Sequence, residues 1–143
     1  MNPLKYLGLK GPDRKGFDLD NLSVGDGNRL KTVLFAILGR NYITTDTGTN
    51  YTYRIEDGDG WKRHDNASPI SAIVPPESSV AFRIGQTITV EQAGAGQLTL
   101  VEGTSDVTIN TPETLSLRAQ FSVATLVKVG TDEWTLIGDL ETA

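Results

Sequence analysis

The chain has 143 residues, a formal net charge of −5 and no cysteine. The missing cysteine excludes a disulfide framework, a thiolate zinc site and a cysteine nucleophile, and the acidic balance argues against sequence-independent nucleic-acid binding. With 38% hydrophobic residues and 15 glycines, the core of one domain is expected to be thin, so burial between subunits should add stability.

Residues 1 to about 26 mix Gly, Asp, Lys and Pro with isolated apolar side chains at Leu4, Tyr6, Leu7, Leu9, Phe17, Leu19 and Leu22. They are too scattered for a core and too frequent for a solvated linker. This reads as an extended arm that orders by lying on something else, a candidate docking arm. Met1 to Lys15 lacks the continuous apolar stretch of a secretory signal, so synthesis and retention in a cytoplasm are expected. The longest apolar run, Val33 to Leu38, falls far short of the ~20 residues that span a bilayer.

Leu30, Val33, Leu34, Ile37 and Leu38 fall on one stripe of a 3.6-residue period and predict a helix over 29–38. Asp26 or Asn28 can cap its start, and Gly39 suits its end. Phe35 widens the apolar surface, and so short a helix must pack on something, which makes it a candidate oligomerisation element. A buried strand over Thr32 to Leu38 remains an open alternative, because Val, Phe and Ile also suit strands.

From Asn41 onward the period becomes two. Tyr51, Tyr53 and Ile55 are expected on one face, as are Val80, Phe82 and Ile84. Ile88 and Val90, Leu98 and Leu100, and Val107 and Ile109 follow, then Leu115 and Leu117, then Phe121, Val123, Val127 and Val129, with Trp134, Leu136 and Leu140 closing the chain. Turn signals separate the runs at 57–60, Pro75-Pro76, 94–96, 110–112 and 130–132. Short strands with this punctuation predict an all-β domain over 41–143, a small antiparallel sandwich or barrel of about seven to nine strands. Residues 1–40 are then the arm and short helix.

Chemistry-bearing patterns are sparse. His64, the single histidine, lies between Lys62-Arg63 and Asp65 and reads as exposed surface. Glu56-Asp57-Gly58-Asp59-Gly60 lacks the spacing and terminal Glu of a calcium loop and reads as an acidic hairpin turn. Asp18 and Asp20 fail the same test. Gly94-Ala95-Gly96 lacks the third glycine and following helix of a phosphate loop and also reads as a hairpin turn. No catalytic, metal or cofactor residue is assigned. Tyr51, Tyr53 and Trp61 are a candidate glycan platform, with core or subunit packing an equal reading for the tyrosines.

The second half of the chain carries a Gln-x-Gly-x-Gly turn (Gln92, Gly94, Gly96), the strand Ala124-Thr125-Leu126-Val127-Lys128 and a closing Trp134-x-Leu136-x-Gly138-Asp139-Leu140, together and in order. In this it resembles a small β domain at the C-terminal ends of tailed-bacteriophage virion proteins, among them tail fibres, head fibres and other appendages. The resemblance runs from near Asp57 to Leu140 and departs at Gly103-Thr104-Ser105-Asp106, a plain polar turn where relatives are more glycine-rich. It implies a non-enzymatic virion structural protein with no cofactor. No heptad, Gly-X-Y or other repeat is legible as a fibre shaft. A capsid decoration, cement or head-fibre protein is therefore expected, with a small tail-fibre, collar or baseplate subunit or a host-glycan-binding module as alternatives. The expected partners are further copies of the chain, most simply as a trimer, and the major capsid or tail proteins. A host surface glycan is an additional candidate, and nucleic acid and membrane are not expected.

Overall fold

A computed structural model describes residues 43–143. They belong to one compact unit, Asn41–Ala143. The expected arm and the helix over 29–38 lie outside the described residues.

The described unit is all-β with mixed sheets. Its strands are β1 (Ile43–Asp46), β2 (Asn50–Thr52), β3 (Gly60–His64), β4 (Ile70–Val74), β5 (Thr87–Gln92), β6 (Leu98–Glu102), β7 (Thr108–Asn110), β8 (Val123–Gly130) and β9 (Glu133–Gly138). A single 3₁₀ turn, Ile55–Asp57, joins β2 to β3. Six strands form one sheet in the order β1-β3-β5-β8-β9-β7, and three form another in the order β2-β4-β6.

The expectation of antiparallel pairing is corrected by the register. Up to β6, successive strands alternate between the two sheets, and each pairs in parallel with the strand two before it. The chain thus winds in rungs, β1–β2, β3–β4 and β5–β6, and β7 also pairs in parallel with β9. Antiparallel ladders are confined to β5–β8 and the β8–β9 hairpin, with isolated antiparallel bridges at Thr99–Ser116 and Leu117–Leu140. The rungs start at Ile43, Gly60 and Thr87, unequally spaced, because the loop after β4 is much longer than that after β2. No fixed period therefore marks the winding in the sequence.

Several expected hairpin turns become corners between sheets. Residues 94–96 connect β5 to β6 across the core, and Ala93 and Gly94 donate to the His64 carbonyl while Gly96 donates to that of Asn66. A Cβ on Gly96 would lie 1.9 Å from the Ser68 carbonyl oxygen. The glycines are thus needed because one rung's corner sits on the backbone of the rung before. Residues 57–60 likewise lead from the small sheet to the large one, with Asp59 at φ 58°. Only 130–132 makes a true hairpin, between β8 and β9.

One core lies between the sheets. Ile88, Val90, Leu126 and Leu136 supply one side and Ile70, Ala72, Leu98 and Leu100 the other. Trp134 is fully buried and stands edge-on to Phe82 at 5.3 Å. Gly138, at φ 148°, would place a Cβ 2.4 Å from the Ala124 Cα, so the last strand closes on β8 only with glycine there.

Three expected faces are corrected. Residues 80–84 form no strand; Phe82 is buried and Ile84 exposed. Tyr53 is buried while Ile55 is exposed. In β8 the inward residues are Ala124, Leu126 and Lys128, so Val123, Val127 and Val129 point outward and Phe121 is exposed. The strand is apolar on both faces apart from Thr125 and Lys128, and alternation alone does not decide which face turns inward.

Candidate functional site

The densest group of polar side chains lies inside the first two rungs. Strand β3 reads Gly-Trp-Lys-Arg-His, and its parity turns Lys62 and His64 inward and Trp61 and Arg63 outward. His64 is fully buried, which corrects the expectation of an exposed surface residue. Lys62 is buried as well.

Each buried group has a partner chemistry. The Lys62 ammonium lies 3.1 Å from Asp57 and 3.2 Å from the Thr44 hydroxyl, over the Tyr51 ring at 4.1 Å. Asp57 also accepts from the Tyr51 hydroxyl at 2.8 Å and from the Arg54 N–H. Burial opposes the charged form of Lys62, but the contacts with Tyr51 and Asp57 outweigh it and raise its pKa. Burial raises the Tyr51 hydroxyl too, and drives that of Tyr53 well above its ordinary value.

Tyr53, His64 and Asp46 form a line. The Tyr53 hydroxyl is 3.2 Å from His64 Nε2, and the Asp46 carboxylate is 3.9 Å from Nδ1. Because Tyr53 stays protonated and is bonded to nothing else, its O–H donates to Nε2, and the ring proton then sits on Nδ1 facing Asp46. Nδ1 makes no hydrogen bond of its own. Burial pulls the His64 pKa down to about 4, against the opposing field of Asp46, so the ring is neutral near pH 7. The arrangement looks like nucleophile, base and orienting carboxylate, but Tyr53 is fully buried and no substrate reaches its oxygen. What it does chemically is hold the two sheets together through polar contacts.

The acidic loop is absorbed in the same way. Asp57 belongs to the cluster just described, and Asp59 accepts from the Gln86 side chain and the Thr87 N–H. Among the described residues, no group of three or more His, Asp or Glu is placed to hold a metal ion.

The outer face of the six-stranded sheet is the other candidate. Trp61 donates from Nε1 to Glu91 at 2.8 Å, and Arg63 reaches the same carboxylate oxygen at 3.0 Å. The expected glycan platform does not assemble as a unit. Tyr53 is fully inside, Tyr51 is half-buried in the smaller sheet beneath Lys62, and only Trp61 of the three stands on this outer face. The tyrosines pack edge-on to each other at 5.6 Å and Tyr51 edge-on to His64 at 5.5 Å, the packing reading left open for them.

Two further polar sites went unread in the sequence. Lys128 is buried, 2.9 Å from Glu77 and 5.5 Å from the centre of the Trp134 ring. Arg118 holds Asp139 with two bonds at 2.7 and 2.9 Å on the surface, and together with the Ser122 hydroxyl it lowers the Asp139 pKa. Parity with Leu126 was the available signal for Lys128. For Arg118 and Asp139 there was none, because their pairing depends on the fold-back of 111–122.

No family model matches the chain and no curated protein matches it.

Proposed function

We propose that the chain is a non-enzymatic structural protein of a bacteriophage particle, a capsid decoration, cement or head-fibre protein. Its N-terminal arm attaches to the major capsid or tail proteins, and its β unit is displayed as part of a homo-oligomer, a trimer in the simplest case. We read the β unit as a two-sheet, sandwich-like winding and not as a barrel.

The observation that carries this reading is where the phage-like motif residues sit. Gly94 and Gly96 make the corner on which two rungs stack, Trp134 fills the core, and Gly138 allows closure of the last strand on β8. The residues of the resemblance thus serve packing and chain winding, which is what a rigid displayed module requires. The Lys62–Asp57 and Tyr53–His64 clusters are closed inside the unit, in keeping with a scaffold role.

Mass spectrometry of gradient-purified particles tests the reading, with deletion of residues 2–22 as the comparison. The full chain is expected in the particles in fixed stoichiometry, and the deleted chain is expected to fold and stay off them. A full chain that never copurifies with particles overturns the role. A deleted chain at full occupancy moves attachment to the β unit.

A further inference from the structure

We propose that the outer face of the six-stranded sheet is the surface on which copies of this chain assemble. This deepens the proposed role by naming the partner of that face, and it rests on that reading for the expectation of an oligomer.

The register places Ile43, Trp61, Thr89, Thr125 and Ile137 in one row across β1, β3, β5, β8 and β9. Every one of them points away from the core, and Ile43 and Ile137 are 70% and 56% exposed. The neighbouring positions of β8 are the outward valines, Val123, Val127 and Val129. A mid-sheet strand that is apolar on both faces is the pattern of a strand covered on both, yet only the inner face is covered within the described residues. Phe121 and Ile84 are exposed apolar residues in the loops at the two ends of β5. Phe121 donates its N–H to Gln92 there, and at the other end Gly85, next to Ile84, donates to Lys128. Phe121 is held at φ 69°, an unfavourable conformation for a bulky residue, and is 67% exposed.

A second copy is the occupant that charge and area favour. Among the strand residues of this face the charged ones are Arg63 and Glu91, joined to each other, and Glu133 at the start of β9. The patch is therefore close to neutral on a chain of net charge −5, so like-charged copies meet here with less repulsion than elsewhere. With strands ~4.8 Å apart and a rise of ~3.3 Å per residue, the sheet offers a footprint on the order of 500 Å². Side chains standing on it raise the accessible area toward the ~800 Å² that each partner contributes to a standard interface. By contrast, the outer face of the three-stranded sheet is much smaller.

The test is sedimentation velocity of the full chain at micromolar concentration, with Thr125→Arg, Ile137→Lys and, as a control on the small sheet, Ser71→Lys. The wild type and Ser71→Lys are expected to sediment as the same multiple of 15.4 kDa. Placing like charges face to face should weaken association at least ~100-fold in each large-sheet variant, leaving a monomer with an unchanged far-UV circular dichroism spectrum. If both large-sheet variants stay oligomeric, the face is wrongly assigned although the oligomer stands. A monomeric wild type overturns the inference, including when it is retained on host glycan through Trp61. Incorporation into particles, measured separately, is what decides the structural role.

Discussion

The two halves of the interior are built from the same winding but filled differently. Between β5, β6, β8 and β9 the space is occupied mainly by Ile88, Val90, Leu98, Leu100, Leu126, Leu136 and Trp134, with Gln92 and Lys128 the buried polar side chains of β5 and β8. In the first rungs Ile70, Ala72 and Val74 share it with Lys62, His64, Asp57 and Tyr53. Apolar packing is indifferent to pH and costly to hollow out. A hydrogen-bonded polar interior is comparably intolerant of losing one partner, and it adds a dependence on protonation. The difference teaches that side-chain polarity alone did not decide what went inside: a polar residue was buried where neighbouring strands and loops supply it a partner.

Hollowing the apolar half should have the largest effect. Trp134→Ala removes the largest fully buried side chain and its contact with Phe82, and is expected to cost about 3–5 kcal/mol, read as a drop in the urea midpoint. A loss below about 1 kcal/mol would mean that the closing hairpin is not anchored by this ring.

In the polar half, Asp57→Ala strands the Lys62 ammonium inside, with an expected loss of roughly 3 kcal/mol. Adding Lys62→Met should recover most of that loss, because the charge itself then disappears. If the double variant is no more stable than Asp57→Ala alone, the charge is not the source of the cost.

The smallest effect isolates His64. Its folded pKa of about 4 lies below the ordinary 6.5, so below pH 6.5 the unfolded chain takes up a proton that the folded chain refuses. Stability is therefore full above pH 6.5 and falls as pH drops toward 4, by about 2 kcal/mol between pH 6.5 and 5. Since the chain has one histidine, His64→Gln should flatten the urea midpoint across that window. An equal slope in wild type and variant would place the ring in contact with water.

Much of the fold is legible in the sequence itself. Period-two alternation located the β structure of the described residues, whose first strand begins at Ile43. It placed Val90, Leu98, Leu100, Ile109, Trp134 and Leu136 on buried faces, because a strand's parity survives whatever it pairs with.

Strand direction and partner were decided only in three dimensions. An Asp-Gly or Gly-Ala-Gly signal marks a reversal of the chain equally well within one sheet or between two, so corners passed for hairpins and parallel rungs for an antiparallel fold. Unequal loops hid the winding from any search for a repeat. Parity offers two faces and does not choose between them. In Gly60–His64 the choice went to the set containing Lys62 and His64, because Asp57, Tyr51, Tyr53 and Asp46 stand where their polar atoms find partners or an opposing charge. In Val123–Gly130 it went to Ala124, Leu126 and Lys128, where Glu77 and Trp134 receive the lysine. The alternating sequence therefore determined which residues travel together. The tertiary structure determined which set is inside, since only neighbouring strands supply the partners that make burial of a charge or a hydroxyl tolerable.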